Sequence, residues 1–182
     1  HNTDVYGVIE SLRRDAGLDA LPPHVVLLGA GGAARAILFG LLQRTEVKSI
    51  QLLNRTVERA EELAADFDRS GARISVASLD DRSGEQITAQ LVINSTSVGM
   101  TPHPEFSPLG ERSGFRPGMT LLDIVYNPPT TRLMQQAEEA GARAVNGLGM
   151  LVFQGAGSFE LWTGTVPPVE AMKAAALKRF AA

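Results

Sequence analysis

The chain has 182 residues, 44% hydrophobic and 20% charged, with a formal net charge of −3 and no cysteine. That length can bury a substantial core, and the slightly acidic balance argues against a general binder of nucleic acid or of anionic membranes. Without cysteine there is no disulfide framework, thiolate metal site or thiol nucleophile.

The best apolar stretch, residues 25–42, is broken by glycines and Arg35, too soon to span a bilayer. The first residues lack a basic segment followed by an apolar one, so no signal peptide is visible and a cytoplasmic location is expected. The chain does not open on methionine, which suggests a processed or excised piece.

Val5, Val8, Ile9, Leu12 and Ala16 recur at helical spacing and predict a helix over 4–16, closed by Gly17. Pro22-Pro23 marks a loop before the apolar strand His24–Leu28. Gly29-Ala30-Gly31-Gly32-Ala33-Ala34-Arg35 then opens a helix over 32–44. Further strands are predicted at 49–53, 74–77, 91–94, 120–125 and 142–145, with helices at 56–69 and 130–140. Two helices end the chain, 150–162 and, after Pro167-Pro168, 168–180. Alternating strands and helices predict an α/β, Rossmann-type, doubly wound parallel sheet with helices on both faces. Residues 1–20 and 149–182 fall outside that alternation, so 21–148 is expected to be the nucleotide-binding domain. The flanking helices are expected to contact an absent substrate domain, with some of Val5, Val8, Leu12, Phe153 and Trp162 on an open apolar face.

Gly29-x-Gly31-x-x-Ala34 has the spacing of a dinucleotide fingerprint, in strand–turn–helix context. Gly29 allows the tight turn, Gly31 lets backbone approach a pyrophosphate, and Ala34 lets the helix pack close to the sheet. The phosphates would then meet bare N–H groups at a helix N-terminus. The second strand ends where an acid normally recognises the ribose 2′-hydroxyl of NAD. Here Asn54-Arg55-Thr56 follows, with Arg59 one turn on. A guanidinium matches a 2′-phosphate that an acid would repel, so NADP is the expected cofactor. His1, His24 and His103 have no partners at metal or triad spacing, and no metal is expected.

These residues resemble the shikimate dehydrogenase family, with the related quinate/shikimate dehydrogenases, over nearly the whole chain. Asn2-Thr3-Asp4 is similar to its Asn-Thr-Asp segment, and Gly29 to Ala33, including Ala30 and Gly32, to its diphosphate loop. Asn54-Arg55-Thr56 with Arg59 resembles its phosphate motif, and Asn94 to Met100, with Thr96 and Ser97, its loop beside the cofactor. Asp123 to Pro128 matches its Asp-x-x-Tyr-x-Pro segment, and Gly147 to Gln154 its late Gly-x-x-Met-Leu-x-x-Gln motif.

The resemblance implies an NADP-dependent oxidoreductase interconverting 3-dehydroshikimate and shikimate in aromatic biosynthesis. It implies that Asp4 works with a lysine at the reacting oxygen, and that Tyr126 and Gln154 bind substrate. Ile124, Gly147 and Met150 would lie on the nicotinamide side. Without the resemblance, Asp4 reads as a cap of the first helix. Val5 stands where the family usually has glycine after Asn-Thr-Asp. The family's first part, with its catalytic lysine and most substrate contacts, has no counterpart here. Only three lysines are present, Lys48, Lys173 and Lys178, and none is expected beside Asp4. The chain alone is therefore expected to be inactive, with quinate as an alternative substrate. The remaining alternative is a non-catalytic NADP-binding module. No nucleic-acid or membrane partner is expected, and the isolated chain is expected to self-associate.

Overall fold

A computed structural model describes residues 2–67, 73–80, 87–111 and 114–180. His1 and the last two residues of the helix expected at 56–69 lie outside the described residues. The helices are α1 (Thr3–Arg14), α2 (Gly32–Leu42), α3 (Val57–Phe67), α4 (Arg132–Glu139), α5 (Leu148–Thr163) and α6 (Val169–Phe180). The strands are β1 (His24–Leu28), β2 (Ser49–Asn54), β3 (Ile74–Ser78), β4 (Leu91–Asn94), β5 (Thr120–Asp123) and β6 (Arg143–Val145). They form one sheet in the order β3-β2-β1-β4-β5-β6, and every pairing is parallel.

The strands read as apolar runs because both faces of the sheet are covered. In β1, Val25 and Leu27 point to one core with Ile37, Leu41, Leu52 and Ile93. Val26 and Leu28 point to the other, with Val92, Leu121, Leu133 and Met134. Order reverses between β1 and β4, so the two crossovers depart in opposite directions and leave a crevice at the carboxyl ends of these strands. Among the described residues no helix is long and apolar enough to cross a membrane.

The terminal helices do not stand apart from the sheet. α1 and α5 approach through small residues: a Cβ on Gly7 would lie 2.7 Å from the Met150 carbonyl and 2.9 Å from Gln154 Cβ. The Thr3 and Ser158 hydroxyls are 3.0 Å apart across the same seam. This closes part of the apolar face expected to be open, since Val8, Leu12 and Phe153 are buried within the chain. Trp162, at the end of α5, is 85% exposed. α6 has no buried residue and is tied down by Lys173, whose Nζ is 2.6 Å from Asp15 Oδ1.

Several element ends differ from the sequence reading, each for a local reason. α1 starts at Thr3 because the Asn2 side chain accepts the Asp4 N–H, so Asn2 is the cap and Asp4 is not. β5 stops at Asp123 rather than 125 because the Val125 N–H turns back to the Asp123 carboxylate. α4 starts at Arg132, two residues late, because Thr131 caps it through the Met134 N–H.

Candidate dinucleotide and substrate site

The β1–α2 turn opens the crevice. Gly29 has φ +99°, and a Cβ there would meet Ser95 Oγ at 2.8 Å and Thr96 Cγ2 at 3.0 Å. Glycine is thus required twice over, by backbone conformation and by the β4 loop pressed against it. The Ser95 hydroxyl donates to the Leu28 carbonyl at 2.6 Å and stitches the two strand ends together. Gly31 is the N-cap of α2, with no side-chain cap, and the first turn carries no acid. Open space surrounds Gly31 and Gly32, so bare N–H groups and the positive end of the helix dipole face a cleft.

That cleft, about 890 Å³, runs from Gly29, Ala30 and Gly31 past Asn54, Arg55, Thr56 and Arg59 to Thr96 and Ser97. Asn54 Nδ2 donates to the Thr56 carbonyl at 2.7 Å, folding the turn that carries Arg55. Arg55 and Arg59 are exposed, and no ion pair among the described residues engages either one. Arg35, by contrast, is neutralised by Asp66 at 2.7 Å. Two free guanidinium groups therefore stand beside a row of bare amides, an arrangement suited to several phosphates.

A second pocket of about 380 Å³ shares the Ser95–Ser97 wall and continues along Ile124, Tyr126 and Asn127. Phe180 of α6 lines it too, its ring edge-on to Tyr126 with centroids 4.9 Å apart. Gly147 sits against its back wall: a Cβ there would lie 1.8 Å from the Ile124 carbonyl oxygen, and the Gly147 N–H donates to Val125. Gly147→Ala must push this wall outward, and overpacking of this kind costs about 1–3 kcal/mol. We expect a lower denaturant midpoint for Gly147→Ala. Gly31→Ala, with nothing within 4 Å, should leave the midpoint nearly unchanged.

Asp4 and Gln154 line neither pocket. Asp4 is half-buried in the first turn of α1, and Gln154 half-buried on α5 beside Gly7. Gly32 and Ala33 form the first turn of α2 behind the cleft, while Met150 is buried in the core. Lys173 pairs with Asp15, at the opposite end of α1 from Asp4 and about 16 Å along the helix. Lys48 donates to the Thr45 carbonyl ahead of β2, at the far edge of the sheet.

The sequence reading missed Phe180, because nothing in a helical pattern tells which strand end the last turn reaches. It also left Asp123, Asn94 and Thr131 without roles. All three are fully buried. Burial pushes the Asp123 carboxyl above its ordinary range, opposed by hydrogen bonds from Thr131, the Val125 N–H and Asn94. A lone acid in an otherwise apolar strand was the signal available.

The sheet order, the glycine turn and the crevice at the reversal point define a Rossmann-type domain. Residues 17–104 match the model of the shikimate/quinate 5-dehydrogenase family, and residues 147–177 that of the shikimate 5′-dehydrogenase C-terminal domain. The chain belongs to the shikimate dehydrogenase family. It is 43% identical to the shikimate dehydrogenase (NADP(+)) of Methanopyrus kandleri, over 98% of this chain and 62% of that protein. It resembles the crystal structure of shikimate 5-dehydrogenase from Listeria monocytogenes in complex with shikimate and NAD. There the TM-score is 0.85 at 34% identity, covering 96% of this chain and 62% of that one. Quinate dehydrogenase from Corynebacterium glutamicum, in complex with NAD, is similar at TM-score 0.85 and 28% identity, covering 98% and 62%. The chain thus spans about 62% of the length of these relatives.

Proposed function

We propose that this chain is the NADP-binding part of an oxidoreductase that interconverts 3-dehydroshikimate and shikimate. The observation that carries the reading is the pair Arg55 and Arg59, without an ion pair among the described residues and lining the same cleft as the bare first turn of α2. Residues 21–148 would hold the dinucleotide, with 1–20 and 149–182 forming the side that faces substrate. The backbone of Gly29 to Ala33 would bind the pyrophosphate, while Asn54, Arg55, Thr56 and Arg59 would bind the 2′-phosphate. Thr96, Ser97, Ile124, Gly147 and Met150 would border the nicotinamide, which accepts or gives the hydride. Tyr126 and Gln154 would orient the hydroxylated ring, and Asp4 would hold the reacting oxygen with a lysine.

A proton leaves that oxygen as hydride leaves its carbon, so an acid/base group must lie within hydrogen-bond reach. Lys48 and Lys173 are engaged elsewhere, as their partners indicate. The lysine and most substrate contacts would come from outside this chain, which covers 62% of its Methanopyrus relative. Quinate is the second reading, favoured by the likeness to the Corynebacterium enzyme. Calorimetric titration with NADP and with adenosine 2′,5′-bisphosphate tests the cofactor assignment. Both should bind, and failure of both would sink it.

The free end of α5 carries Phe159, Leu161 and Trp162, followed by Val166, all exposed. Apolar surface gathered in this way favours self-association of the isolated chain. Light scattering should show mass rising with concentration; a strict monomer throughout would count against it.

A further inference from the structure

We propose that Asp123 is a positioning residue that sets both walls of the nicotinamide-side pocket through a buried hydrogen-bond chain. This deepens the cofactor reading above and rests on it. The donors fix one another's directions. Thr131 Oγ1 accepts the Met134 N–H at 3.2 Å, so its own proton points to Asp123 Oδ2, 2.6 Å away. Asn94 Oδ1 accepts from the Thr96 N–H at 3.0 Å and the Thr96 hydroxyl at 2.8 Å. That leaves Asn94 Nδ2 to donate to Asp123 Oδ1 at 2.8 Å, beside the Val125 N–H at 3.1 Å. Three donors therefore converge on Asp123, and an ionised carboxylate is the side chain that accepts them all and donates nothing.

The consequence is spatial. Through Val125 the carboxylate fixes the bend between Ile124 and Tyr126. Through Asn94 it fixes Thr96, on the facing wall of the same pocket. Through Thr131 it is anchored to the N-terminus of α4, outside the pocket. Asp123, Asn94 and Thr131 line neither pocket, so they act through the residues they hold. At the phosphate end Gly29 packs against Ser95 and Thr96, but no hydrogen bond among the described residues joins Gly31, Arg55 or Arg59 to this chain of bonds. Breaking it should loosen the nicotinamide end more than the phosphate end.

In Asp123→Asn the amide can accept at one atom, so one of the three donors meets an N–H instead. NADPH fluorescence reports whether the nicotinamide is seated in an apolar pocket. Binding of 2′-phospho-ADP-ribose, which lacks the nicotinamide, reports the phosphate end. With the parent chain we expect a fluorescence rise on NADPH binding. With Asp123→Asn that rise should be lost and NADPH affinity should fall by about tenfold. The affinity for 2′-phospho-ADP-ribose should stay within about twofold. Thr131→Val should reproduce the loss more weakly, and Thr131→Ser should restore it. This second pair carries the test if Asp123→Asn does not fold.

Equal losses for both ligands would mean that Asp123 merely supports the fold, and unchanged fluorescence would also overturn the proposal. A parent chain that binds 2′-phospho-ADP-ribose without any NADPH fluorescence rise would overturn it while leaving the cofactor reading intact. A parent chain that binds neither would remove the cofactor reading and this one together.

Discussion

Shikimate oxidation by the 182-residue chain alone is expected to run about 10²- to 10⁴-fold slower than by a full-length relative under the same conditions. That is the usual contribution of a positioned acid/base group, and lost substrate contacts would lower the rate further. Asn2 rather than Asp4 caps the helix, and two of the three lysines have partners away from Asp4. Lys173 is held by Asp15 at the other end of α1, and Lys48 lies on the edge of the sheet away from the crevice. The measurement is NADPH formation with saturating shikimate and NADP, alongside the intact Methanopyrus enzyme. A rate within tenfold of that enzyme would refute the need for an external lysine.

Arg55→Ala is expected to weaken NADP binding by roughly 10- to 150-fold, the equivalent of a charge-assisted hydrogen bond of about 1.5–3 kcal/mol. NAD carries no 2′-phosphate and should bind nearly as before, so the preference for NADP shrinks by the same factor. Arg59 remains one helical turn away and should retain part of the discrimination. Because both guanidinium groups are exposed, the attraction is open to screening, and added salt should weaken NADP binding more than NAD binding. Titration of both cofactors into the parent and the variant decides the matter. Equal losses would assign Arg55 to the fold and leave the NADP choice without its physical basis.

Periodicity made the sheet legible. Buried strands such as Leu91–Asn94 are short, apolar and bounded by loop residues, and both faces demand apolar side chains. The glycine turn was legible because its spacing is dictated by backbone geometry at Gly29 and Gly31. Element ends were read less well, since a competing side chain decides each: Asn2 for α1, Asp123 for β5 and Thr131 for α4. At the site, the phosphate end could be read from a contiguous run, Asn54 to Arg59. The second pocket came from the family resemblance alone, in Thr96, Ser97, Ile124 and Tyr126, because it is assembled from the ends of β4 and β5 and the last residue of α6. Only folding brings Phe180 to Tyr126, and no local pattern encodes that meeting.

The single tryptophan gives this protein a built-in optical reporter. Trp162 stands at the exposed end of α5, beyond the seam with α1, and no second indole contributes to the signal. Its emission is therefore that of a water-exposed indole, set by whatever touches one known spot. Any body that covers the end of α5, whether a substrate domain or a second copy, must shift that emission to shorter wavelength. Filling the cleft near Gly31 need not shift it. Colour alone can thus separate an event at this flank from the arrival of a nucleotide, without attaching a label.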